Sequence, residues 1–227
     1  MRTGFLMVFL VGLSCAADAQ ESVLARRIKA EAPGAAVVWL PDGISSGMFA
    51  WRIAECARVP LVFEASRFDY RDPSVVTERF DLDGLTVREA LDALAAQDPR
   101  YRWEEHDGVV IIRPIEMLAD PGDVLNQRIA GVRGDRVRLD DVLARAAAAV
   151  GGAGTRHPLP EAIASQEVAL DAPSGTVLDL LAAAARAHGR VMWLTPESAR
   201  GPDQRGVSIG LRIFADTGTG VASDAAR

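Results

Sequence analysis

Between Val87 and Gln97 the apolar residues Val87, Ala90, Leu91, Leu94 and Ala95 recur with a helical period of about 3.6 residues. They therefore share one face of a predicted helix. Thr86 precedes the run and Glu89 stands at its third helical position, the pattern of a capping box, and Pro99 prevents continuation. Phe80 to Thr86 leads into this helix as a strand. After it come two short β-prone runs, Tyr101 to Glu105 and Gly108 to Ile112, joined by His106-Asp107-Gly108. The Asp-Gly pair supplies the positive φ of a tight turn, so these runs form a hairpin.

The same pattern is written again at one constant offset. Thr86 meets Thr176, Val87 meets Val177, Leu91 meets Leu181, Ala95 meets Ala185 and Trp103 meets Trp193. A second stripe, Val177, Leu180, Leu181, Ala184 and Ala185, follows Thr176, with Asp179 at the third position. Upstream, Phe49, Ile53, Cys56 and Ala57 meet Leu139, Leu143, Ala146 and Ala147, again with helical spacing. The expected fold class is α+β. It consists of two similar small modules, each with about two helices on one face of a small mixed sheet closed by a β-hairpin. The expected boundaries are a first module over 37–114, a linker over 115–136 containing Pro121-Gly122, Gly131 and Gly134, and a second module over 137–214. An N-terminal segment over 20–36 precedes them and a disordered tail over 215–227 follows. The loop from Thr195 to Arg205 is longer than its counterpart in the first copy.

The N-terminus changes the picture of where this chain works. Arg2 followed by the uncharged run Phe5 to Leu13 and then Ala17-Asp18-Ala19 has the form of a signal peptide over 1–19, which would leave Gln20 as the first mature residue. The run is too short to span a bilayer, which takes about 20 apolar residues. A lipid anchor on Cys15 is the competing reading, but Gly12 stands where lipoproteins favour leucine. After cleavage Cys56 is the one remaining cysteine, so the modules hold together by packing and not by an internal disulfide. The formal net charge is −6, Lys29 is the only lysine, and acidic residues are interspersed among the arginines. No basic face for nucleic acid is expected.

The stretch Asp83-Gly84-Leu85-Thr86-Val87-Arg88-Glu89-Ala90-Leu91-Asp92-Ala93-Leu94, with Tyr101-Arg102-Trp103 and Asp107-Gly108-Val109-Val110-Ile111-Ile112, resembles the short secretin and TonB amino-terminal domain. The resemblance covers about residues 47–113 and extends through the repeat to 137–213. It implies a periplasmic module that in secretins packs against neighbours in a ring, and in TonB-dependent transducers passes a signal to a membrane regulator by protein contact. Neither role transfers directly, because no pore-forming domain or plug and barrel precedes Arg227. The matching residues are mostly core and cap positions, so they speak to fold more than to function.

Candidate chemistry is sparse. Glu104-Glu105-His106-Asp107 is the densest polar group, and it reads as a solvated hairpin tip more readily than as a metal site. His157 falls in a loop. His188 falls in the last turn of a helix before Gly189, where the dipole favours a cation. Cys56 lies on the Phe49/Ile53 stripe and reads as a small buried hydrophobe. Gly151-Gly152-Ala153-Gly154 lacks the residues that accompany a phosphate loop, and no nucleophile elbow or zinc helix is present. No catalytic residue, cofactor or metal is expected. Trp51 stands apart, since on an ideal helix it points away from Phe49; it is either a partner anchor or covered by Val37-Val38-Trp39-Leu40 or by the other module. The expected function is a non-catalytic interaction module of the cell envelope that meets an envelope protein through sheet edges or outer helix faces, with oligomers possible. The alternative is a binder of small molecules or cell-wall fragments, or a weak enzyme, with a cleft between the modules.

Overall fold

A computed structural model describes residues 22–32, 34, 36–39, 46–66, 79–149, 159–195 and 209–213. The expected signal peptide, the Gly151–Gly154 run, His157, most of the long loop after Thr195 and the expected tail lie outside the described residues. In chain order the elements are β1 (Val37–Trp39), α1 (Ser46–Ala57), β2 (Leu61–Glu64), β3 (Arg79–Asp81), α2 (Val87–Gln97), β4 (Tyr101–His106), β5 (Val109–Pro114), β6 (Arg128–Ile129) and β7 (Val132–Arg138). They continue with α3 (Leu139–Ala149), α4 (Glu161–Ala164), β8 (Glu167–Ala172), β9 (Gly175–Thr176), α5 (Val177–His188), β10 (Val191–Thr195) and β11 (Gly210–Ile213). The fold class is α+β.

The local elements follow their sequence signals. Thr86 accepts from the Glu89 amide while the Glu89 carboxylate accepts from the Thr86 amide, so the capping box at α2 is complete. Thr176 and Asp179 make the same box at α5, and Gly189, with φ 78°, ends that helix in the left-handed conformation. In the turn between β4 and β5 both Asp107 and Gly108 have positive φ, 51° and 79°.

The sheet differs from expectation. Instead of one small sheet per module, five strands from both halves form a single sheet in the order β11-β10-β2-β5-β4. β10 and β5 both run parallel to β2, on its two sides, and β11 and β4 close the ends antiparallel. Nor do all helices share one face. Leu61, Phe63 and Met192 join an apolar cluster with Phe49, Ile53, Leu91 and Leu94 of α1 and α2. Val62, Val191 and Trp193 join another with Leu139, Leu143, Leu180 and Leu181 of α3 and α5. The helices thus cover both faces. The physical reason is visible in β2 and β5, every residue of which is buried. Strands covered on both faces are apolar without alternation, and parallel pairing is found where both faces are covered.

The segment 115–136, expected as a linker, is built into the fold. It contains a 3-10 turn at Ile115–Met117, β6 paired with β9, and most of β7, which pairs with β8. Gly131 is required there: a Cβ would stand 2.9 Å from the Ala172 carbonyl oxygen. The N-terminal segment is also held. Ile28 is fully buried, its amide donates to Leu85 O at 2.7 Å, and its carbonyl accepts from the Gly84 amide at 2.9 Å.

Candidate functional site

The carboxyl ends of the three parallel strands gather almost all the buried polarity. Among the described residues, every buried polar or charged side chain except Ser46 lies here: Glu64, Ser66, Arg113, Asp123 and Thr195. Register explains it. Thr195 of β10 stands opposite Glu64 of β2, and the pairing of Phe63 with Ile112 brings Arg113 of β5 alongside Glu64. The Arg113 guanidinium donates to Glu64 Oε2 at 2.7 Å, to Asp123 Oδ1 at 2.9 Å, to Asn126 Oδ1 at 3.0 Å and to the Met117 carbonyl at 3.3 Å. Asn126 in turn donates to Met117 O and Asp120 O. This network is what fastens 115–127 to the sheet. Just beyond β2, the Ser66 amide donates to the Tyr101 hydroxyl at 2.8 Å and the Ser66 hydroxyl donates to Glu116.

Burial, then a hydrogen bond to Asp123 and the charge of that carboxylate, push the Glu64 carboxyl up to about 8, against the pull of Arg113. At neutral pH this favours the protonated form of Glu64 beside the Arg113 guanidinium. A raised carboxyl can serve as a general acid only where a substrate reaches it. Glu64 is 2% exposed and Arg113 already has four acceptors, so the cluster acts as a clasp. Among the described residues, buried Thr195 Oγ1 has no hydrogen-bond partner.

The edge of the sheet is the opposite environment. Among the described residues β4 pairs with β5 alone, and Arg102, Glu104, Glu105 and His106 are exposed. Trp103 is half-buried beside α2: its Nε1 donates to Asp92 Oδ1 at 3.2 Å, and the Arg88 guanidinium lies 5.5 Å from the ring centroid. The hairpin tip is tied to the other half of the chain by Arg186, which donates to Asp107 at 2.7 Å. Among the described residues no group of three or more His, Cys, Asp or Glu is placed to hold a metal.

Comparison with known protein families, with curated proteins and with solved structures finds no match for this chain.

Of the residues singled out in the sequence, Trp51 is half-buried on α1 and packs against the first apolar cluster, away from the buried polar group. Cys56 is also half-buried there, and burial pushes its thiol up, which disfavours a reactive thiolate. His188 stands in the last turn of α5 before Gly189, as expected; burial, followed by the nearby Arg190 charge, lowers its pKa, and its Nε2 meets Gln166 Oε1 at 2.6 Å. Glu64, Arg113, Asp123 and Asn126 were not foreseen. The available signal was a single charge closing each of two otherwise apolar runs, Leu61–Glu64 and Val109–Arg113.

Proposed function

We propose that this chain is a non-catalytic protein-interaction module of the bacterial cell envelope, exported by the leader over 1–19 and related in role to the short secretin and TonB amino-terminal domain. It meets other polypeptides by strand addition to β4. The observation that supports this reading is the outer edge of β4, a six-residue strand that among the described residues pairs on one side only. Strand addition draws its affinity from main-chain groups and requires no catalytic constellation. The buried charges favour it indirectly, since they are spent on each other.

A second reading, a binder of small molecules or cell-wall fragments with its site between the two halves, draws on the unpartnered Thr195 hydroxyl beside Glu64. It needs a path to side chains that are more than nine-tenths buried. Strand addition to β4 needs none.

The test is in-cell crosslinking of the tagged protein in its host, followed by mass spectrometry, with E105P and W51A alongside. E105P removes an outward-facing amide from β4. One polypeptide captured at near-equal amounts, lost in E105P and kept in W51A, is the expected result. Loss in W51A alone moves the contact to α1, and capture of nothing above background contradicts the interaction role.

A further inference from the structure

We infer that the strand which pairs with β4 is β4 of a second copy of this chain, in one antiparallel register; this rests on the reading of β4 as a pairing edge. The first support is which main-chain groups face outward. Asp107 and Gly108 form a two-residue turn with both φ positive. In such a hairpin the flanking residues, here His106 and Val109, exchange both hydrogen bonds. The alternation then turns the main-chain groups of His106, Glu104 and Arg102 toward β5, and those of Glu105, Trp103 and Tyr101 outward. The Tyr101 amide agrees, since it donates outside the sheet, to Asp98 O at 3.0 Å.

The second support is charge. A two-fold axis through Trp103, perpendicular to the sheet, sets Trp103 opposite Trp103. The two residues exchange both main-chain hydrogen bonds, and each Glu105 amide faces the Tyr101 carbonyl of the other copy. In the same register Arg102 stands opposite Glu104 of the second copy, twice, at the non-hydrogen-bonded positions where side chains lie closest. Centring the axis on a neighbouring residue instead sets Arg102 against Arg102, or Glu104 against Glu104. Like charges directly opposite destabilise a pair, so one register is selected. Arg102 and Glu104 are exposed, and among the described residues neither side chain has a hydrogen bond or ion pair within its own copy.

The third support is Trp103 itself. Its polar contacts, Arg88 and Asp92, lie on the flank of α2, while one side of the ring packs against the apolar cluster that holds Leu91. The ring is thus held in place but only half-buried, and in this register the rings of two copies meet at the axis. The product is an isologous dimer with one sheet continuous through both copies.

Analytical ultracentrifugation of the purified protein over a range of concentrations tests this, with R102E, E104R and the double variant R102E/E104R. Each single swap opposes like charges at both ends of the interface and should weaken the dimer by about tenfold or more. The double swap restores opposite charges and should recover it. All three changes are to exposed side chains, and melting curves verify the fold. A monomer at every concentration overturns the inference, as does a dimer that the swaps leave unchanged. A monomer that still captures a different envelope protein, in a manner sensitive to E105P, overturns only the second copy as partner. Loss of that capture too removes the pairing-edge reading.

Discussion

The two most polar places on the central sheet solve opposite problems. At the carboxyl ends of β10, β2 and β5, charged groups are out of water, and each Arg113 nitrogen is matched to an acceptor. Along β4 the charged side chains are in water, and among the described residues no strand lies beside its outer edge. Burying an ion is tolerated only when it is paired and hydrogen-bonded, whereas an exposed charge makes little difference to folding and is free to select a partner. The buried cluster therefore belongs to stability, and the edge is the place we propose for recognition.

The largest expected effect attacks the buried side. Arg113→Met leaves Asp123 and Glu64 without their cation and should destabilise the fold by about 3–5 kcal/mol in urea unfolding. A loss as small as that of a surface substitution would erase the contrast. Leu91→Ala, in the fully buried stripe of α2, sets an apolar scale of about 2–5 kcal/mol against which the polar cluster is judged.

Titration sharpens the same contrast. The Glu64 carboxyl is raised from 4.5 to about 8, so the folded protein holds a proton there that the unfolded chain releases. Its contribution is complete below about 4.5, is lost as pH rises toward 8 and is flat above. Thermal melts should show that decline, and E64Q should remove it. A slope that survives E64Q assigns the proton elsewhere. Thr86→Ala, which breaks a solvent-exposed capping box, should cost about 1 kcal/mol. Smallest of all, Arg102→Ala should change stability by less than about 0.5 kcal/mol while weakening association through β4.

Much of the local structure was legible because its causes are local. Thr86 with Glu89 starts α2, Gly189 ends α5, and Asp107-Gly108 turns the hairpin, each by a rule that spans a few residues. The pairing of β2 with β10 was not legible, since periodicity within a strand does not name its neighbour across the chain. Yet the unbroken apolar run from Val59 to Phe63 pointed to a strand covered on both faces. The segment 115–136 reads as a linker from its Pro and Gly residues. Its place in the fold comes from Asp123 and Asn126 meeting Arg113, a contact fixed only once the sheet exists. At His188 the helix end is visible in the sequence, while the burial that lowers its pKa is not. Of the candidate site, the hairpin was foreseen as a hairpin, but its open outer edge depends on strand order.

The most direct test of β4 as the recognition edge is residue-level amide hydrogen exchange, measured in dilute protein and again in the assembled state. The account predicts that in dilute protein the Trp103 and Glu105 amides exchange quickly while those of Arg102 and Glu104 are protected by β5, and that assembly protects Trp103 and Glu105. Trp103 and Glu105 already protected in dilute protein, or gaining no protection on assembly, would contradict it.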